Sequence, residues 1–213
     1  MSALVLDNVE IKLGGKPLIV LTEGVARGDV LTLMGPSGAG KSSLLSFING
    51  SLDANFTCSG RVMLQGRDIT DLPPHARRVG ILFQDPLLFP HMSVAENLLF
   101  AVPPGAPAAD RKALVTSALE TAGLGGFEER DPATLSGGQA ARVALMRVLL
   151  SSPDALLLDE PFSKLDTARR DQLRSFVFAE ARRRMLPVVM VTHDEADAAA
   201  CGGKIIRLAE ESA

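Results

Sequence analysis

No tryptophan and no tyrosine occur among the 213 residues, and nine phenylalanines are the whole aromatic complement. Large aromatic contacts must therefore come from phenylalanine. Cysteine is nearly as scarce, with Cys58 and Cys201 the only two, so no disulfide framework is expected and two free thiols fit a reducing compartment. Long apolar runs are missing too. Apolar residues reach 46% but fall in short blocks, VLTLM at 30–34, VGILF at 79–83, ALLL at 155–158 and VVMV at 188–191, none near the ~20 residues that cross a bilayer. The opening SALVLDNVEIKLGG has no basic run leading into an apolar stretch, which predicts no secretory leader. Positive charge is not in excess: the net charge is −3 and the pI about 5.7, so no field for nucleic acid exists and no nucleic-acid partner is expected. The densest basic run, Arg182-Arg183-Arg184, falls late in an expected helix, where cations complement the helix dipole.

What is present alternates between strand-like blocks and helical stretches, the pattern of a mostly parallel sheet covered on both faces. VLTLM runs into a glycine-rich turn and then KSSLLSFING, whose Gly50 reads as a helix C-cap. The other blocks end in polar residues: VGILF at Gln84, ALLLD at Glu160, VVMVT at His193. Carboxyl ends of such strands are where open α/β sheets bind ligands. Up to about Arg27, and over Ser59–Ile69, short alternating patterns with Gly14-Gly15 and Gly66 as turns predict an antiparallel layer. VAENLLFAV and RKALVTSALETAGL have helical spacing around the loop PPGAPAAD. The expected organisation is therefore one α/β domain over 1–213, with a core from 1–85 and 135–213 and a helical subdomain inserted at 86–134.

GPSGAGKS, Gly35 to Ser42, fits the phosphate-binding pattern G-x-x-x-x-G-K-[ST] and lies between a strand and a helix. A chance match in such a chain is about one in a hundred or less. Gly35, Gly38 and Gly40 open backbone conformations that turn successive N–H groups onto phosphate oxygens. Lys41 is suited to the β- and γ-phosphates and Ser42 to Mg²⁺, with Pro36, Ser37, Ala39 and Ser43 completing the loop. ALLLDE ends in two carboxylates. Alone, that pair could cap a helix; beside a phosphate loop, Asp159 is suited to hold the metal and Glu160 to polarise a water. LSGGQ, Leu135 to Gln139, opens a further helix, and Ser136 with the N–H groups of Gly137 and Gly138 makes a second anion site.

LSGGQ followed by AARVALMRVLL resembles the signature motif of the ATP-binding cassette (ABC) ATPases, and the likeness covers nearly the whole chain. In that family two copies sit head to tail, each signature, here through Gln139, completing the other copy's ATP site. Gln84 resembles the Q-loop glutamine that reaches Mg²⁺ and the attacking water. Ser163-Lys164-Leu165-Asp166 resembles the D-loop, which crosses between copies. His193 resembles the switch histidine that contacts the γ-phosphate; a lone histidine there would more often be structural. LPPHARRVGILFQDPLLFPHMSVAENLLF is similar to the bacterial importer branch, including short thiamine-type uptake ATPases.

The resemblance implies ATP and Mg²⁺ as ligands, a homodimer, integral membrane permease subunits, an extracytoplasmic substrate-binding protein and a place on the cytoplasmic face of the inner membrane. It also implies that an apolar groove over Leu87 to Met92, with Leu87, Leu88 and Phe89 exposed, receives a permease helix; local packing is the alternative. His75 and His91 have no counterpart in the motif set. Three departures stand out. Leu13 occupies the position of the aromatic that stacks on adenine, so weak base affinity is expected unless another ring, such as Phe47 or Phe56, fills the gap. Lys164 replaces a small or amide residue of the D-loop, and no C-terminal regulatory domain is expected after IIRLAEESA.

Overall fold

The computed structural model of the chain describes residues 2–105 and 107–208. Strands β1 (Ser2–Leu13) and β2 (Lys16–Ala26) form an antiparallel hairpin. Gly14 and Gly15 turn it with φ of 57° and 82°, the pair of positive values that matches strand twist. Opposite β1 runs β4 (Phe56–Leu64), with the short β5 (Arg67–Asp68) beyond it, giving the order β2-β1-β4-β5. The antiparallel layer expected from alternation is this sheet.

A second sheet has the order β6-β7-β8-β3-β9, built from β3 (Val30–Met34), β6 (Val79–Leu82), β7 (Ala155–Asp159), β8 (Val188–Thr192) and β9 (Lys204–Arg207). Its β3–β8, β3–β9 and β7–β8 pairs are parallel. Every residue of β3 and β8 is buried, as continuous apolar runs in a parallel sheet covered on both faces must be. Helix α1 (Lys41–Asn49) follows β3 and sends Leu44, Leu45 and Ile48 into a core shared with Leu4, Leu6 and Ile11 of β1, Leu157 of β7 and Val189 of β8.

The far end of α1 is held by one side chain. Gly50 caps it in the left-handed region at φ 82°. Arg77, only 6% exposed, donates from Nη1 to the carbonyls of Phe47 (2.8 Å) and Ile48 (3.1 Å), from Nε to Leu72 (2.7 Å) and from Nη2 to Thr70. Orphan carbonyls at a helix end are thereby satisfied. Burial lowers the Arg77 pKa from its ordinary value, with Asp71 opposing, yet guanidinium stays cationic under all ordinary conditions.

By internal contacts the chain divides into two compact units. Met1–Ile81, Asp154–Glu160 and Phe178–Ala213 make the first, which holds both sheets apart from Leu82; Leu82–Pro153 and Pro161–Val177 make the second. The second contains α2 (Val94–Leu99), α3 (Ala108–Thr121), α4 (Gly137–Leu150) and the start of α5 (Thr167–Arg183). It thus reaches past residues 86–134. Helix α4 contacts both α2 and α3 and buries Ala141, Val143, Ala144, Leu145, Met146 and Leu149, an apolar surface too wide for a one-faced helix.

Loop 86–92 in this unit is pinned from behind. Asn97 is fully buried; its Nδ2 donates to the carbonyls of Phe89, Met92 and Ser93, and its Oδ1 accepts from the Phe89 N–H at 2.8 Å. Arg147 donates to Asn97 Oδ1 (3.3 Å) and the Pro86 carbonyl (3.2 Å) and lies over the Phe89 ring. Phe89 also meets Phe100 edge-on at 5.1 Å. Of the three residues expected to be exposed, Leu87 is, at 57%, whereas Leu88 and Phe89 are half-buried, Phe89 because Asn97, Arg147 and Phe100 hold it from the inner side.

Candidate functional site

The phosphate loop lies in the first unit, between β3 and α1. Gly38 and Gly40 have φ of 89° and 78°. A Cβ on Gly40 would also press to 3.1 Å against Leu18 and Ile19, so conformation and space both require glycine there. No side chain caps the start of α1. Lys41 is 6% exposed and its Nζ donates to the Gly35 and Pro36 carbonyls, both at 2.7 Å, and the Ala39 N–H returns to Pro36 at 3.4 Å. The ammonium is thus held inside the curl of the loop.

Ser42 Oγ donates to Asp159 Oδ1 at 3.1 Å, joining the first turn of α1 to the end of β7. Burial raises the Asp159 carboxyl above its ordinary pKa; the Ser42 hydroxyl opposes this, Glu160 adds to it and Lys41 opposes it. A desolvated carboxylate next to a hydroxyl is a fitting donor pair for a hard cation that takes its other ligands from phosphate and water. The residues present therefore fit Mg²⁺.

The next residue, Glu160, takes φ 46° and donates its N–H to the Val191 carbonyl at 3.1 Å. That left-handed turn swings its side chain away from the strand direction. His193, just past β8, puts Nδ1 at 3.1 Å from Glu160 Oε2. Asp194 follows as the N-cap of α6 (Glu195–Cys201), accepting from the N–H groups of Ala196 and Asp197, which fixes the chain on which His193 rides.

Of these groups, Ser37, Gly38, Gly40, Lys41, Ser42, Ser43 and Glu160 line a cleft of about 380 Å³ together with Leu13, Leu18 and Phe56, whereas His193 lines a separate recess with Gly35 and Pro36. Leu18 was not singled out from sequence; its place after the Gly14-Gly15 turn beside Leu13 was the available signal. Phe47 is buried in α1 and does not line the cleft.

Gln84, Ser136 to Gln139 and Asp166 lie in the second unit. Gln84 is exposed. Ser136 and Gln139 form a capping box at the start of α4, Ser136 Oγ accepting from the Gln139 N–H (3.4 Å) and Gln139 Oε1 from the Ser136 N–H (2.9 Å). Gly138 and these two border a recess of about 230 Å³ with Arg142 and Arg169 on its wall, and Gly137 starts the helix. Asp166 accepts from the Arg169 N–H at 3.0 Å at the start of α5. Lys164 pairs with Asp85, next to Gln84.

A family profile described as ABC transporter matches residues 20–163. Over 195 residues the chain is 51% identical to an uncharacterised ABC transporter ATP-binding protein, YnjD, of Escherichia coli (strain K12), covering 91% of this chain and 90% of that protein. It is 41% identical over 195 residues to the thiamine import ATP-binding protein ThiQ of Jannaschia sp. (strain CCS1), covering 91% and 83%. The sulfate/thiosulfate import ATP-binding protein CysA 2 of Chromobacterium violaceum is 41% identical over 182 residues, and there the chain, 85% of it matched, spans about half (49%) of the relative's length. Since the profile runs through the phosphate loop, the acidic end of β7 and the LSGGQ helix alike, the chain belongs to the ABC transporter family, as an ATP-binding subunit with ATPase activity.

Proposed function

We propose that two copies of this chain close head to tail on two ATP molecules, hydrolyse them and thereby drive import through a separate membrane permease. The observation that carries the chemistry is that the phosphate loop with its buried lysine, Ser42 and Glu160 line one cleft, with Asp159 accepting from Ser42 and His193 set against Glu160 behind them. Lys41 and the loop N–H groups hold the β- and γ-phosphates. Ser42 and Asp159 would hold Mg²⁺, which when bound neutralises charge on the phosphate oxygens. Glu160 accepts a proton from the attacking water, a contribution of about 10²–10⁴ in rate for a well-placed base. His193, with Nδ1 toward Oε2, orients that carboxylate and places its other ring nitrogen for the γ-phosphate.

The second unit supports pairing. Its α4 end, with Ser136, Gly137, Gly138 and Gln139 bordered by Arg142 and Arg169, suits an anion, and the chain has its own phosphate loop elsewhere. A second copy's ATP is the occupant we assign, with Asp166 and the D-loop at the crossing.

No helix among the described residues is long and apolar enough to cross a membrane, and translocation is assigned to separate membrane subunits. The import ATP-binding names of ThiQ and CysA 2 support import, and with it a permease, an extracytoplasmic binding protein and a working position at the cytoplasmic face of the inner membrane. Leu87, exposed on a braced loop, is the assigned permease contact. Steady-state ATPase measured with the chain alone and with membrane subunits from its own operon tests the reading: stimulation by those subunits is expected, and Leu87→Asp should abolish stimulation while sparing basal turnover. No association with any membrane subunit would sink the transport part while leaving the ATPase standing.

A further inference from the structure

We propose that Phe56, on β4, supplies the aromatic face for the nucleotide's base, and that the site in consequence favours purine over pyrimidine nucleoside triphosphates. This rests on the ATP-site reading above. The cleft joins the polar phosphate loop to an apolar patch of Leu13, Leu18 and Phe56, in which Leu18 lies beside Gly40 and so marks where the patch meets the loop. A nucleotide whose phosphates lie on the loop must lay its heterocycle on the apolar patch. Among the described residues, Phe56 is the one aromatic lining that cleft.

The sheet explains why it is there. Phe56 is the direct antiparallel partner of Leu13, so the two side chains share a face at ~5 Å. Leu13 is 45% exposed, and Phe56 is half-buried against the core, so its ring is held on one side and open on the other. Its backbone is anchored as well: the Phe56 N–H donates to the Asp53 carbonyl at 3.1 Å, and Asp53 Oδ1 accepts from the Asn55 N–H at 2.8 Å. An aromatic lost at the end of β1 is thus supplied across the ladder by β4.

Leu13, Leu18 and Phe56 carry no side-chain donor or acceptor, so this patch offers stacking area and no reading of the amino or keto group of a purine. Stacking is tolerant of base identity and grows with ring area. ATP and GTP should therefore bind alike, both more tightly than CTP.

Calorimetric titration of ATP, GTP, CTP and inorganic triphosphate into wild type, Phe56→Leu and Phe56→Trp tests this. Phe56→Leu should weaken ATP and GTP about tenfold, the lower range of base–aromatic stacking, weaken CTP less, and leave triphosphate unchanged; Phe56→Trp should bind ATP at least as tightly as wild type. Equal weakening of all four ligands would overturn the proposal in favour of a packing role. So would unchanged ATP affinity in Phe56→Leu, or a loss of ATP affinity in a folded Phe56→Trp. Wild type that binds neither ATP nor triphosphate would remove the ATP-site reading itself, and this inference with it.

Discussion

Two helices of this chain begin in glycine-rich turns, and they complete their first turns in opposite ways. Helix α1 has no side-chain cap; its start is a left-handed glycine and its lysine lies inside the loop. Helix α4 closes on itself through the reciprocal Ser136–Gln139 box. The four leading N–H groups of any helix need partners, so the first arrangement keeps its donors for an anion while the second already satisfies part of the demand. Phosphate affinity in a single copy should therefore reside at α1. The α4 end engages an anion only by trading internal hydrogen bonds for external ones, which suits a contact made after ATP is already bound.

The strongest way to break that contrast is Glu160→Gln. It should lower turnover by about 10²-fold or more while ATP still binds at α1, so that ATP-loaded pairs accumulate; light scattering that finds only monomer would mean the α4 end never meets nucleotide. Lys41→Ala comes next, with an expected loss of at least about tenfold in ATP affinity by calorimetry, since a charge-assisted contact to the phosphates goes. Unchanged affinity would move the primary site away from α1. Gln139→Ala sharpens the comparison from the other side: it opens half the box and should cost about 0.5–1 kcal/mol in chemical denaturation, with single-copy ATP affinity unchanged.

The smallest effect concerns α5, where a charge pair does the work that caps do elsewhere. Hydrogen bonding from Arg183 holds the Glu180 carboxyl below its ordinary pKa, burial opposes, and the charges of Arg183 and Arg184 lower it further. A depressed acid stabilises the fold above its ordinary pKa, and that contribution disappears as pH falls through the depressed value. Glu180→Gln should flatten the acid side of a stability–pH curve, its difference from wild type fading only as pH falls below the depressed value. An identical curve would show that the pair is idle.

Legibility from sequence followed the range of the interactions. Phosphate loop, acidic strand end, antiparallel hairpin and Gly50 cap are set by residues within a few positions of one another, and all were readable. The Arg77 clamp joins residues 30 apart, and nothing in LPPHARRVG says which arginine turns inward. Asn97, in VAENLLFAV, reads as a polar helical position; only the folded loop shows that its amide holds Phe89 in place. Phe89 was therefore expected to be more exposed than it is. Among the rings the sequence offers in place of the missing aromatic, such as Phe47 and Phe56, only pairing between distant parts of the chain, β1 and β4, shows that Phe56 stands beside Leu13.

Glu160 sits at φ 46°, a backbone state that glycine and asparagine occupy with less penalty than glutamate. Screens that select this protein for heat resistance should accordingly recover replacements at position 160 that raise the melting temperature, because relief of a left-handed residue is worth on the order of 1 kcal/mol. Those survivors would be sturdier and inert. If Glu160 sets the rate as proposed, the fold tolerates it at its own expense, and endurance and turnover cannot both be maximised at that position.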